Sequence, residues 1–203
     1  VVFLDVASDQ ENAFVCVRLN EVLPGGESLQ ISYGILNLTH RNSHEFPELI
    51  EPDKRYTVRV QLNDIAHTFA PGSRIRIAIS TAFWPIVWPS PQPVTLSLFS
   101  GESRLLLPAR EPQSSDAEAR TLAPPRHSRP HPTSTLVDSE PGFTGFKIDI
   151  NTGIQSFIYQ MDSGTRRFDR HGWTNSVKTD YQYHIHPGDP TSAGVDLAAT
   201  ETY

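Results

Sequence analysis

Apolar and polar residues alternate strictly in three stretches of the chain, at positions 56–62, 75–79 and 94–98. A period of two places every second side chain on the same face of a strand, so each stretch predicts a strand with one face towards a core and one towards water. The apolar members are expected to be buried: Val58, Val60, Leu62, Ile75, Ile77, Ile79, Leu96 and Leu98.

Further strands are predicted on either side of these. Runs 1–6 and 13–19 are almost wholly apolar, which is typical of buried strands. Residues 29–38 predict a strand in which Gly34 marks a bulge or a close packing contact. Residues 103–107 predict another, whereas 63–70 offer either a short helical turn or a bulged connection. About seven short strands without a convincing helix predict an all-β, antiparallel, jelly-roll-like sandwich over residues 1–109.

The composition changes after this region. Residues 110–133 are rich in proline and poor in apolar side chains, which predicts an extended linker. Alternation then returns, with a hairpin predicted around Asn151-Thr152-Gly153 and two further strands at 173–179 and 180–186. Residues 134–203 therefore predict an accessory β-rich segment.

Composition narrows the possible partners and the compartment. The net charge of −6 argues against nucleic acid, because an acidic chain repels phosphate backbones. No apolar run approaches the roughly 20 residues that span a bilayer, so no membrane association is expected. Cys16 is the single cysteine and lies in the apolar run AFVCV, which predicts a buried, inert thiol. A chain without an intrachain disulfide fits a reducing compartment, and a cytoplasmic location is expected.

Titratable clusters give weak signals for chemistry. His184 and His186 share a strand face near Asp180 and Asp189, but no third ligand is fixed by the spacing, so an exposed face is favoured over a metal site. His40, His44 and Glu45 form a similar weak cluster. Asn63, Asp64 and His67 favour a hydrogen-bonded loop over an acid–base pair, because no cleft is indicated. No metal or other cofactor is expected.

The nearest approach to a nucleophile motif is Gly101-Glu102-Ser103-Arg104-Leu105. A nucleophile elbow needs G-x-S-x-G between a strand and a helix. This string lacks the second glycine and joins two predicted strands. No catalytic residue is therefore expected in this chain.

Residues 82–93, named here the Trp loop, combine a dense apolar cluster with four prolines. Proline fixes φ and lowers the entropy lost on binding. A large apolar loop at the end of a sheet either caps its own core or docks on a partner. Both interpretations stay open for its candidate docking or entrance residues, which are Phe83, Trp84, Ile86 and Trp88.

Residues 55–93, RYTVRVQLNDIAHTFAPGSRIRIAISTAFWPIVWPSPQP, resemble the β-sandwich that follows the catalytic domain in CocE/NonD-type α/β-hydrolases. That group, which includes peptidase family S15, contains cocaine esterase and the X-prolyl dipeptidyl aminopeptidases. The similarity extends through VASDQENAFVCVRL and YGILNLTHR over residues 1–109. HPGDPTSAG, at 186–194, resembles the extra C-terminal β segment of the larger members.

The resemblance implies a non-catalytic C-terminal domain of a serine hydrolase, a peptidase or an esterase, whose Trp loop faces the α/β-hydrolase catalytic domain. It also implies strands upstream of Val1, so residues 1–6 are expected to expose an unpaired edge and homo-oligomers are possible. The alternative is a free-standing β-sandwich that binds carbohydrate or protein, because jelly rolls host lectin-like functions and tryptophan stacks on sugars.

Overall fold

A computed structural model of the chain describes residues 1–108, 111, 113–114 and 123–203. Within them the chain forms strands, a 3₁₀ turn at Leu38–His40, and no α-helix. The strands are β1 (Val2–Ser8), β2 (Phe14–Val22), β3 (Ser28–Asn37), β4 (Tyr56–Val60), β5 (Arg74–Ser80), β6 (Leu96–Leu98), β7 (Arg104–Leu105), β8 (Thr133–Val137), β9 (Phe143–Ile148), β10 (Gln155–Phe168), β11 (Trp173–His186) and β12 (Asp189–Thr202). The prediction of an all-β, antiparallel sandwich is confirmed.

The chain divides into two compact units. The first comprises Val1–Leu107 with Gly188–Ala193, and the second comprises Pro108–Pro187 with Gly194–Tyr203. The predicted linker, 110–133, lies partly outside the described residues. Over the described residues, no helix is long and apolar enough to cross a membrane.

Two antiparallel sheets build the first unit. One has the order β4-β1-β6, with β7 also paired to β1, and the other has the order β3-β2-β5. Their facing sides bury one apolar cluster, because the inward residues of β1, β2 and β4 are branched aliphatics that suit a pleated surface. The cluster contains Val2, Leu4, Val6, Ala13, Val15, Val17, Leu19, Leu38, Ile50, Val58, Val60 and Leu62.

The predicted core is correct for most strands but wrong at two positions. Val58, Val60 and Leu62 are buried, while Ile77, Ile79 and Leu96 pack partly buried against the cluster. Ile75 is 50% exposed and Leu98 is 42% exposed. Both lie on strands at sheet edges, where a neighbouring strand covers one side alone.

Two local expectations are also corrected. Residues 1–6 do not form an open edge, because β1 is the central strand of its sheet and pairs with β4 on one side and with β6 and β7 on the other. Residues 63–70 form no helical turn. The Ser32 hydroxyl donates to the Asn63 carbonyl at 2.8 Å and the Asn63 N–H donates to the Tyr33 carbonyl at 2.9 Å. These bonds hold the connection in a non-helical conformation.

Two apolar residues of β3, Tyr33 and Ile35, point away from the core, whereas Ile31 packs against the core cluster near the register shift. Gly34 pairs with Val17, a core residue, so Gly34 faces inward, whereas Tyr33 and Ile35 lie on the outer side. A Cβ at Gly34 would meet the Gln61 carbonyl oxygen at 1.9 Å. A residue without a side chain is therefore needed where β3 meets the end of β4.

One five-stranded antiparallel sheet forms the other unit, with the order β12-β11-β10-β8 and with β9 also paired to β10. The predicted hairpin around Asn151-Thr152-Gly153 is confirmed as β9–β10. The two strands predicted at 173–179 and 180–186 are wrong in number, because β11 runs unbroken from Trp173 to His186. Gln160 Nε2 donates to Asp180 Oδ2 at 2.8 Å across the ladder, so a charged residue is accommodated in mid-strand.

Candidate docking loop

The Trp loop leaves the second sheet of the first unit where β5 ends. Ser80 pairs with Cys16 near the start of β2, and its hydroxyl donates to the Ala82 carbonyl at 2.8 Å. The Val87 N–H then donates to the Phe83 carbonyl at 2.9 Å, which closes a turn. The loop is therefore held by its own backbone and by the end of a strand.

Phe83 anchors the loop on the outer face of this sheet. Its ring meets Tyr33 edge-on, with centroids 5.1 Å apart, and the Arg18 guanidinium lies 5.8 Å from its centroid. Arg18 and Tyr33 are cross-strand partners on β2 and β3. Edge-to-face and cation–π contacts of this kind favour one ring position.

Other side chains of the loop point into solvent. Trp84 is half-buried and meets Trp88 edge-on, with centroids 5.1 Å apart. Trp88 is 52% exposed and Ile86 is 60% exposed. The four candidate residues of the loop therefore have different surroundings. Phe83 covers its own sheet, whereas Ile86 and Trp88 present apolar surface to solvent.

Sequence reasoning missed the residues beneath the loop. Arg18 is the one charged residue in the apolar run AFVCVRL. A cation in a run otherwise typical of a buried strand signals a partner nearby, although the sequence does not say which ring it contacts. Cys16 lies on the same outer face and is fully buried. Burial raises the pKa of its thiol, which favours the inert form.

A buried carboxylate fastens the connection between β4 and β5. His67 Nε2 lies 2.8 Å from Glu21 Oε2, and the Ala70 N–H donates to Glu21 Oε1 at 2.7 Å. The neighbouring Ser73 side chain first, and then the Ala70 N–H, hold the pKa of Glu21 below its ordinary value. His67 therefore belongs to a hydrogen-bonded loop, as predicted.

The histidine clusters assemble no metal-binding set. His44 Nδ1 lies 3.4 Å from His40 Nδ1, and His184 Nδ1 lies 3.5 Å from Asp196 Oδ2. In the part of the chain that the structure describes, no three His, Cys, Asp or Glu residues are placed to hold an ion.

Ser103 has a structural role between β6 and β7. Its hydroxyl donates to the Phe99 carbonyl at 3.0 Å and accepts from the Asp5 N–H at 3.2 Å. These bonds tie the connection to the central strand β1. The hydroxyl is thus paired with backbone groups rather than with a base.

Comparisons with known proteins point to one group. The family model described as "X-Pro dipeptidyl-peptidase C-terminal non-catalytic domain" matches residues 1–129. Cocaine esterase from Rhodococcus sp. (strain MB1 Bresler) is 28% identical over 82 residues, which is 40% of this chain and 14% of the esterase. The chain therefore matches a small part of the length of that relative.

Proposed function

This chain belongs to the family of X-Pro dipeptidyl-peptidase C-terminal non-catalytic domains, and we propose that it is the non-catalytic C-terminal domain of a serine α/β-hydrolase. The parent enzyme acts on a peptide or an ester. The family description supports this, as does the similarity to an esterase. The partner of this chain is then the catalytic domain of the same protein.

The Trp loop is the part of the chain that contacts that catalytic domain and shapes its substrate entrance. The observation that carries this proposal is the contrast within the loop, where Phe83 is anchored while Ile86 and Trp88 are exposed. Aromatic side chains on a held backbone lose little entropy on association, and such residues dominate interface energies. Burial of the exposed 60% of Ile86 contributes about 1–2 kcal/mol.

The first test is the parent reading frame. An upstream domain with a G-x-S-x-G elbow supports this function. A parent without any hydrolase domain overturns it and favours a free-standing carbohydrate- or protein-binding sandwich.

The second test uses the full-length parent with Ile86→Ser and Trp88→Ser. Ile65→Ser is the matched control, because Ile65 is 45% exposed in the β4–β5 connection, outside the Trp loop. We expect the loop variants to lower kcat/KM for X-Pro anilides or p-nitrophenyl esters by about tenfold, the equivalent of about 1.4 kcal/mol. The control is expected to keep wild-type values. Equal kinetics and equal Tm in all variants would show that the loop faces solvent in the parent.

A further inference from the structure

One row of polar side chains crosses the sheet of the second unit, beyond the residues that the family model matches. Lys147 on β9 pairs with Ser156 on β10, and Ser156 pairs with His184 on β11. Directly paired residues project from the same face of a sheet, with neighbouring strands about 4.8 Å apart. The row could not be predicted from the sequence, because its members lie far apart along the chain and only the strand register brings them together.

This row lines a cavity of 440 Å³. Ser156 is 8% exposed and lies deepest, with Gln182 beside it, since Gln182 Nε2 lies 3.4 Å from Ser156 Oγ. Ile154 supplies an apolar wall; Ile148 also borders the cavity, but it pairs with Gln155 and so projects from the opposite face of the sheet. The cavity thus combines polar groups on its buried side with aliphatic surface, the usual composition of a small-molecule site.

The cavity wall carries one cation, Lys147, and one carboxylate, Asp149. The Asp149 Oδ1 accepts the N–H groups of Asn151 at 2.8 Å and Thr152 at 3.1 Å, which hold the pKa of this carboxyl below its ordinary value and direct it at its own turn. The Lys147 ammonium rests 5.5 Å from the centroid of the Phe143 ring, and among the described residues no carboxylate lies within ion-pair distance of it. Lys147 is therefore the group of the wall that can attract an anion.

Residue types along the row match a Ser–His–Asp triad, but the geometry does not. His184 Nδ1 faces Asp196 Oδ2 at 3.5 Å. A Cβ at Gly194, on β12, would lie 2.3 Å from His184 Nε2, so this nitrogen lies against β12 instead of against Ser156. A base must reach the proton that it removes. The row therefore suits binding and not acyl transfer.

We propose that this cavity binds a small organic carboxylate with a short aliphatic part. The carboxylate accepts from the Lys147 ammonium, the Ser156 hydroxyl and the Gln182 amide, and the aliphatic part lies against Ile154. Charge-assisted hydrogen bonds from several donors select a carboxylate over a neutral amide of the same shape. The proposal is independent of the proposed hydrolase function.

The test is a titration of the full chain with sodium butyrate, followed by the methyl NMR signals of Ile154, with those of Ile148, on the opposite face, as an internal control. Butyramide probes the need for charge, and inorganic phosphate probes the need for an aliphatic part. We expect saturable binding of butyrate, with butyramide and phosphate at least about tenfold weaker, as expected when a charge-assisted bond or apolar burial is lost.

Lys147→Met is expected to weaken butyrate by about tenfold or more. Lys178→Met is the matched control, because Lys178 lies on the same sheet but pairs with Asp162 at 3.4 Å. Lys178→Met should bind like wild type. Absence of saturation by ~0.1 M, where added salt screens exposed charges generally, overturns the proposal. Equal binding by Lys147→Met, or phosphate binding as tight as butyrate, also overturns it.

Discussion

Gly34 and Gln61 approach each other so closely that a Cβ on Gly34 would lie 1.9 Å from the Gln61 carbonyl oxygen. Gly34 lies on β3, and Gln61 directly follows β4 of the facing sheet. The contact is with backbone, which cannot rotate away as a side chain can. The two sheets are therefore spaced here by the absence of a side chain.

Gly34→Ala is expected to lower the free energy of unfolding by about 1–3 kcal/mol or more, the usual cost of overpacking. Gly101→Ala is the matched control, because a Cβ at Gly101 meets nothing within 4 Å. That variant should stay within about 0.5 kcal/mol of wild type. Urea denaturation of both variants measures the difference. Equal losses would mean that the sheets are farther apart at Gly34.

Alternation alone does not show which face of β3 is buried. Tyr33 and Ile35 carry the apolar pattern, yet Gly34 and Ser32 face the core. The Trp loop supplies the cover for the outer face through Phe83. A period of two shows which residues share a face of a strand. Which of the two faces is buried depends on what packs against it.

The sequence pattern does not show which residues of the Trp loop are anchored and which are exposed. It also does not show that Lys147, Ser156 and His184 form a row, and the reason is the same in both cases. Apolar density located the loop, but the contact of Phe83 with Arg18 and Tyr33 depends on how the loop folds back. Strand existence was predictable from local pattern, whereas side-chain neighbours across strands depend on register. The continuation of β11 through Asp180 likewise follows from its pairing with β10, which the local pattern does not show.

Truncation of an aliphatic residue on β2 or β5 should lower the free energy of unfolding more, the more deeply that residue is buried. Leu19 on β2 is 1% exposed, whereas Ile75 on β5 is 50% exposed. Leu19→Ala is expected to cost about 2–5 kcal/mol, because it leaves a cavity in the core. Ile75→Ala should cost about 1 kcal/mol or less, since half of its area already faces water. Chemical denaturation measures both, and a reversed order would place β5 in the opposite register.

Asp5 is expected to make the stability of the fold depend on pH in the acid range. Hydrogen bonds from the Thr57 hydroxyl and from Arg55, whose Nε lies 3.1 Å from Oδ2, hold the pKa of Asp5 below its ordinary 3.8. A carboxylate with a lowered folded-state pKa stabilises the fold fully above the ordinary value. That contribution is lost as the pH falls through the folded-state value.

Asp5→Asn should therefore lower Tm at neutral pH and flatten the loss of stability as the pH falls below about 4. Thr57→Val, which removes the hydroxyl donor, should act in the same direction with a smaller change. Thermal unfolding across this range tests both variants. Parallel pH curves for wild type and Asp5→Asn would rule out Asp5 as a source of the dependence.

The chain by itself is expected to hydrolyse neither p-nitrophenyl esters nor X-Pro anilides. Two serines come nearest to a nucleophile, and each fails on geometry. The Ser103 hydroxyl is bonded to backbone groups of Phe99 and Asp5, and the imidazole next to Ser156 turns its Nε2 towards Gly194. A serine hydroxyl without a base in reach is a poor nucleophile at neutral pH. Purified chain should give the slow ester background of exposed imidazoles, unchanged by Ser156→Ala or Ser103→Ala. Turnover that a serine-directed phosphonate blocks, and that either substitution abolishes, would establish a nucleophile in this chain and contradict the assignment of binding to the Ser156 row.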